Sequence, residues 1–223
     1  IRAAVAGGTG YAGAELIRIL TGHPGVKLTM ITSRQSAGQR FDRVFPAMAG
    51  RVDLVCEELN DDRICEAADV VFTALPHKLP MKIAPEVLKR GRRVIDLSAD
   101  FRFSDASVYE KAYQPHSAGH LLKEAVYGLA EVYTPEIRAA RLVGNPGCYP
   151  TSVLLPLVPR DRVTCSTCHN PHQKGVTAVK LPQKELMRRK AEDPVAAPAE
   201  AADRSPFMQV HRQLAQRLAE TRH

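Results

Sequence analysis

The sequence predicts an α/β fold, a mostly parallel sheet with helices on both faces. Three observations predict it. Residues 2–32 read as strand, glycine loop, helix and strand. Residues 69–75 form an apolar run of the kind a parallel strand buried on both faces requires. Residues 93–97 repeat the strand pattern after a helical stretch, and this alternation is the mark of an α/β layer structure.

The first unit opens with a short buried strand over residues 2–7. Gly8-Thr9-Gly10-Tyr11-Ala12-Gly13 follows, then the amphipathic run Ala14-Glu15-Leu16-Ile17-Arg18-Ile19-Leu20. Gly22 and Pro24 stand where such a helix ends. Residues 26–32 give the next strand. Glycines at this spacing let the backbone approach a pyrophosphate at a helix N-terminus. Gly8, Thr9, Gly10, Tyr11, Ala12 and Gly13 are therefore candidate dinucleotide contacts of a Rossmann-type domain. A glycine triplet alone also fits a tight turn; the strand–loop–helix setting carries the reading.

The end of the second strand selects the cofactor. An NAD site places Asp or Glu there for the ribose hydroxyls. This chain has Thr32-Ser33-Arg34-Gln35-Ser36. Hydroxyls and a guanidinium suit a 2′-phosphate, so NADP is expected, held by Ser33, Arg34 and Ser36. The alternative is a solvated Arg34.

Residues 35–66 are less regular. Phe41, Val44, Phe45 and Met48 are expected to cover one end of the sheet, and residues 52–55 to form a strand. Cys56 and Cys65 read as small core residues. The run at 69–75 ends in Leu75-Pro76-His77. Ligands of open α/β sheets bind at such carboxyl ends, so Leu75 and Pro76 are expected to border the nicotinamide. His77 is either a site residue or a loop histidine. Ile83, Val87 and Leu88 share a helical face that Gly91 closes; Pro80 and Pro85 imply a late start or a kink. After residues 93–97, Arg102 is placed to hold a carboxylate or phosphate of the substrate, or to form a surface pair with Asp100. Residues 104–120 read as loop and short helix, and residues 127–133 lead to a helix at 135–140.

Leu142-Val143 then runs into Gly144-Asn145-Pro146-Gly147-Cys148-Tyr149-Pro150-Thr151. A thiol on a sharp turn before a helix meets unpaired N–H groups and the positive end of the helix dipole, which favour thiolate. The same N–H groups stabilise an oxyanion on a carbonyl that the sulfur attacks. Cys148 is thus the candidate nucleophile; a buried structural cysteine is the alternative.

The 223 residues suffice for one large or two small domains, and a 44% hydrophobic share is that of a globular chain. No apolar run is long enough to span a bilayer. The N-terminus lacks an initiating Met and runs straight into a glycine loop, unlike a signal peptide. Five cysteines without a regular framework suit a reducing compartment. The net charge of +7 resides mainly in residues 160–223, with 12 Lys/Arg against 7 Asp/Glu. Aromatic residues do not interleave with these Arg and Lys residues at a regular spacing, so a solvated basic face is expected and a nucleic-acid surface is not.

Taken together, Gly8-Thr9-Gly10-Tyr11-Ala12-Gly13-Ala14-Glu15-Leu16, Thr32-Ser33-Arg34, Ala74-Leu75-Pro76-His77, Ile95-Asp96-Leu97-Ser98-Ala99-Asp100-Phe101-Arg102, Tyr127-Gly128-Leu129 and the Cys148 block closely resemble the N-acetyl-gamma-glutamyl-phosphate reductase family of arginine biosynthesis. The match runs from residue 1 to about 158. The resemblance implies a cytoplasmic homo-oligomer that reduces a small acyl phosphate with NADPH. It makes Cys148 the nucleophile and Arg102 and Asn145 substrate contacts, with no metal, nucleic acid or membrane. A thiolate is a strong nucleophile near neutral pH, and a thioester accepts hydride well. Aspartate-semialdehyde dehydrogenase shares this logic; the Asn-Pro-Gly-Cys-Tyr-Pro and Asp-Leu-Ser-Ala-Asp-Phe-Arg blocks argue against it.

Two segments are expected, an NADP-binding domain over 1–158 and a divergent, incomplete or foreign segment over 159–223. The family continues into a substrate domain with a catalytic histidine; no histidine of this tail stands in that context. Without it, general acid–base help worth about 10²–10⁴-fold is missing. The tail instead carries Cys165-Ser166-Thr167-Cys168-His169, which resembles the c-type haem attachment segment of multihaem cytochromes. Haem c at Cys165, Cys168 and His169, zinc with His172 added, and nothing bound are the three readings. The absence of an export signal weighs against haem, and a join between unrelated reading frames would account for the change. Residues 191–206 read as linker. Phe207, Val210, Leu214 and Leu218 then share one face of a final helix.

Overall fold

A computed structural model describes residues 1–155. The chain builds β1 (Arg2–Ala6), α1 (Tyr11–Thr21), β2 (Lys27–Thr32), α2 (Phe41–Val44), β3 (Cys56–Glu57), α3 (Asp61–Ala67) and β4 (Val70–Thr73). It continues with α4 (Leu79–Lys89), β5 (Arg93–Asp96), α5 (Ala106–Ala112), β6 (Ala125–Tyr127), α6 (Ala130–Ala139), β7 (Leu142–Gly144) and α7 (Cys148–Leu154). The strands to β7 lie in one unit, residues 1–147, while α7 opens a second unit. The expected boundary at 158, the Cys165-x-x-Cys168-His169 segment and the final helix lie outside the described residues.

The strands order as β3-β2-β1-β4-β5-β7-β6, and every pairing is parallel. Successive strand residues face opposite sides, and β1 shows how each side is filled. Ala3 and Val5 pack with Ile17 and Leu20 of α1, Ile31 and Phe41. Ala4 and Ala6 pack with Ile64 of α3, Val87 of α4, Val71 and Val94. Helices therefore cover both faces, as expected. Cys56 and Cys65 are buried, as read from the sequence.

The helix ends follow local chemistry. Gly22 caps α1 in a right-handed conformation. Asn60 caps α3, its side chain accepting from the N–H groups of Asp62 and Arg63 at 3.0 Å each. Asp105 does the same for α5 through Ser107 at 2.8 Å.

Three expectations need correction. Residues 52–55 are not a strand of the sheet. The N–H of Phe41 bonds the Leu54 carbonyl and that of Cys56 bonds Gln39, which draws this segment against the 39–41 loop. Pairing with β2 begins only at Cys56. The helix with two prolines starts early, at Leu79, because Pro80 occupies the first turn, where its missing N–H costs nothing. The helix expected at 135–140 begins at Ala130 and is broken at Tyr133, just ahead of Pro135.

Candidate active site

The carboxyl ends of the strands stand level. Thr32, Ala6, Thr73, Asp96 and Gly144 pair in register across β2, β1, β4, β5 and β7, and Tyr127 of β6 meets Gly144. The strand order turns between β1 and β4, the position at which open parallel sheets bind ligands.

The glycine loop fills this crevice because no larger residue fits. A Cβ on Gly13 would lie 2.3 Å from the Gly7 carbonyl oxygen, so the missing side chain lets α1 close onto β1. One on Gly8 would lie 2.4 Å from Ile31 Cγ2. Gly7, at φ +83°, turns the chain, and a Cβ there would strike the Ala74 carbonyl oxygen at 2.4 Å and Leu75 Cδ2 at 2.9 Å. Leu75 thus stands against the loop, with Pro76 exposed beyond it. No side chain caps α1 and its first turn holds no acidic residue. The N–H groups of Tyr11, Ala12 and Gly13 bond nothing within the described residues. Their donors and the helix dipole fit a pyrophosphate.

The loop after β2 is tied to the glycine loop. Thr9 Oγ1 and Ser33 Oγ share a hydrogen bond of 2.7 Å, and Ser33 Oγ accepts from the Ser36 N–H at 3.1 Å. Arg34 is exposed and makes no ion pair or side-chain hydrogen bond among the described residues. A hydroxyl, a loop N–H and a free guanidinium thus adjoin one another with no carboxylate from Thr32 to Phe41, a donor set that fits a phosphate.

Beyond β5 lies a buried polar cluster that the sequence reading did not single out. Asp96 is fully buried and accepts from Thr73 Oγ1 at 2.7 Å, the Ser98 N–H at 3.1 Å and Ser98 Oγ at 2.6 Å. Burial pushes its carboxyl above the usual range, while the Ser98 and Thr73 hydroxyls pull it back. Asp100 is also fully buried and accepts from the Lys78 N–H and from Tyr109 OH, each at 2.8 Å. Burial and the Asp100 carboxylate push the Tyr109 phenol far above its usual value. Asp residues near a Ser or another Asp are common in loops, so spacing alone gave no signal for this cluster.

Arg102 does not pair with Asp100, which corrects the surface-pair alternative. Its Nε donates to the Asn145 carbonyl at 2.7 Å and its Nη2 to the Leu97 carbonyl at 2.8 Å. The Asn145 N–H in turn bonds the Asp96 carbonyl at 2.7 Å. Arg102 and Asn145, two expected substrate contacts, are therefore joined directly. Gly144 permits this, because a Cβ there would sit 2.1 Å from the Phe101 carbonyl oxygen. Cys148 begins α7 in the second unit and is exposed, against the buried-cysteine alternative. Among the described residues, no helix is long and apolar enough to cross a membrane and no His/Cys/Asp/Glu group suits a metal ion.

Comparison with known proteins agrees with this geometry. Residues 2–140 match the family "Semialdehyde dehydrogenase, NAD binding domain". The N-acetyl-gamma-glutamyl-phosphate reductase of Desulforapulum autotrophicum is 58% identical over 162 residues, 73% of this chain and 47% of that protein. The protein of the same name from Syntrophobacter fumaroxidans is 57% identical over 159 residues, 71% of this chain and 46% of its own length. The chain spans about half the length of the relatives it matches. Aspartate semialdehyde dehydrogenase from Candida albicans, solved with NADP, shares the fold at a TM-score of 0.53 and 18% identity over 70% of this chain and 45% of that one. The reductase resemblance seen in the motifs is thus carried by the chain's relatives. Through residues 2–140 this chain belongs to the semialdehyde dehydrogenase family, of which it carries the NAD-binding domain.

Proposed function

We propose that the chain is the cofactor-binding and nucleophile-bearing part of an NADPH-dependent reductase. The reaction turns N-acetyl-glutamyl 5-phosphate into N-acetyl-glutamate 5-semialdehyde and releases phosphate. The observation that carries this reading is the 58% identity over 162 residues to a reductase of that name. It includes a cytoplasmic homo-oligomer acting on a small acyl phosphate. It keeps the division into an NADP-binding domain over 1–158 and a divergent segment over 159–223.

The residues take these parts. The Gly8 to Gly13 loop and the N–H groups that open α1 hold the pyrophosphate, and Ser33, Arg34 and Ser36 hold the 2′-phosphate, which makes NADP the cofactor rather than NAD. Leu75 and Pro76 border the nicotinamide. Cys148 attacks the acyl carbon as thiolate; the carbon–oxygen bond to phosphate breaks and phosphate leaves with the electron pair. Bound NADPH supplies a hydride equivalent. Loss of the Cys148 sulfur from the reduced carbon frees the semialdehyde and restores the thiolate. Arg102 and Asn145 hold the substrate, with the Arg102 guanidinium fixed by two backbone carbonyls.

The test is phosphate-dependent reduction of NADP with N-acetylglutamate semialdehyde, run beside aspartate semialdehyde. Turnover with the first substrate and loss of it in Cys148→Ala is expected. Preference for aspartate semialdehyde, or turnover that survives in the variant, overturns the assignment.

A further inference from the structure

His77 follows β4 at the row of strand ends, directly after Pro76, and the proposed chemistry gives it no part. Its ring is held from one side only. Nδ1 accepts the Ala99 N–H at 3.3 Å, which puts the ring proton of the neutral imidazole on Nε2. The Asp100 carboxylate stands 3.4 Å from the same Nδ1, fully buried. Nε2 has no partner among the described residues, and the side chain is 45% exposed, so its N–H points at nothing in this unit.

The backbone is built to keep it there. Lys78, the next residue, is the one described non-glycine residue with positive φ, at 78°. Such a conformation costs of order 1–3 kcal/mol and persists where the surroundings impose it. Here Asp100 imposes it, by accepting the Lys78 N–H at 2.8 Å. Asp100 is itself locked by Tyr109 OH at 2.8 Å, and Tyr109 by Gln114 Nε2 at 2.6 Å. The Tyr113 ring flanks His77 with centroids 5.1 Å apart. Asp100 thus fixes the backbone turn that carries the imidazole, the Ala99 N–H holds Nδ1, and the far nitrogen is left open to a ligand.

Arg102 hangs from the same turn. It is anchored by the Leu97 carbonyl, His77 by the Ala99 N–H, and both belong to the segment that leaves β5. Each is a donor without acceptor capacity toward a ligand when Nε2 carries the proton. Donors of this kind suit an oxyanion.

We propose that His77 is a further binding residue of the site, whose Nε2–H takes an oxygen of the substrate's phosphate group, and that Asp100 positions it. The identification of the phosphate rests on the acyl-phosphate reading above; the oxyanion site itself rests on the geometry alone.

Inorganic phosphate, the released product, is the probe. It is titrated into the full chain while the histidine ring signals are followed by NMR, with no turnover required. The expected result is a saturable shift of the His77 signals with its proton on Nε2. His77→Phe weakens phosphate about tenfold, a single hydrogen bond to a charged group. His77→Gln, whose amide nitrogen reaches the Nε2 position, retains most of the affinity, and NADPH affinity is the same in all three. Equal phosphate affinity in His77→Phe, or an equal loss in His77→Gln and His77→Phe, overturns the proposal. Phosphate held through His77 without reductase turnover leaves the oxyanion site standing and removes the substrate assignment instead.

Discussion

Thr73 donates its hydroxyl to the Asp96 carboxylate at 2.7 Å, joining the paired ends of β4 and β5 in the middle of the sheet. Both residues are completely buried. The contact satisfies a carboxylate that burial otherwise disfavours, and it fixes the strand ends from which His77 and Arg102 depart.

Asp96 makes stability depend on pH with a definite sign. Its folded-state pKa is raised by burial, so its contribution is fully present below the unfolded carboxylate value of about 3.9. It is lost as pH rises through the folded value. Asp96→Asn keeps the shape and removes the charge. The variant should lack this loss, so its stability relative to the parent should grow as pH rises through the carboxylate range. Asp96→Ala strands the Thr73 and Ser98 hydroxyls and should cost about 1–3 kcal/mol. Urea unfolding of the three proteins across that range is the check.

Glycines 10 and 13 should respond differently to alanine. At Gly13 the new Cβ meets the Gly7 carbonyl oxygen at 2.3 Å, and backbone must move. Gly13→Ala should cost about 1–3 kcal/mol and abolish NADPH binding. At Gly10 the nearest atom is 3.6 Å away. Gly10→Ala should cost less than about 1 kcal/mol, the loss of a mild N-cap preference. Thermal melts with NADPH fluorescence titration separate the two.

Cofactor choice should rest on Arg34. Removing an unpaired guanidinium from a phosphate site should weaken NADPH about tenfold and leave NADH unchanged. Titration of Arg34→Ala with both nucleotides measures this. Equal loss for both would make Arg34 a general charge rather than a 2′-phosphate contact.

The glycine loop, α1 and the central strands were legible because their signals are local. Gly8, Gly10 and Gly13 lie within six residues, and β1 and β4 are apolar over most of their length. β6 was not legible: Ala125, Val126 and Tyr127 are only three residues, all half-buried, and they become a strand by pairing with β7. The strand expected at 52–55 failed for a related reason. Val52 and Leu54 do face the core while Val55 is exposed, and the segment's hydrogen bonds go to residues 39–41, a choice that tertiary contacts make. The Asp100 cluster draws His77, Lys78, Tyr109 and His116 from separate segments, so no spacing announces it. Arg102 was found by its place after a strand, while its anchoring by two carbonyls needed coordinates.

The most direct test of the account is mass spectrometry of the intact chain after mixing with N-acetyl-glutamyl 5-phosphate in the absence of NADPH. The account predicts one acyl adduct, mapped by digestion to Cys148, absent in Cys148→Ala and discharged when NADPH is added. An adduct on another cysteine, or none on a chain that binds NADPH, would contradict it.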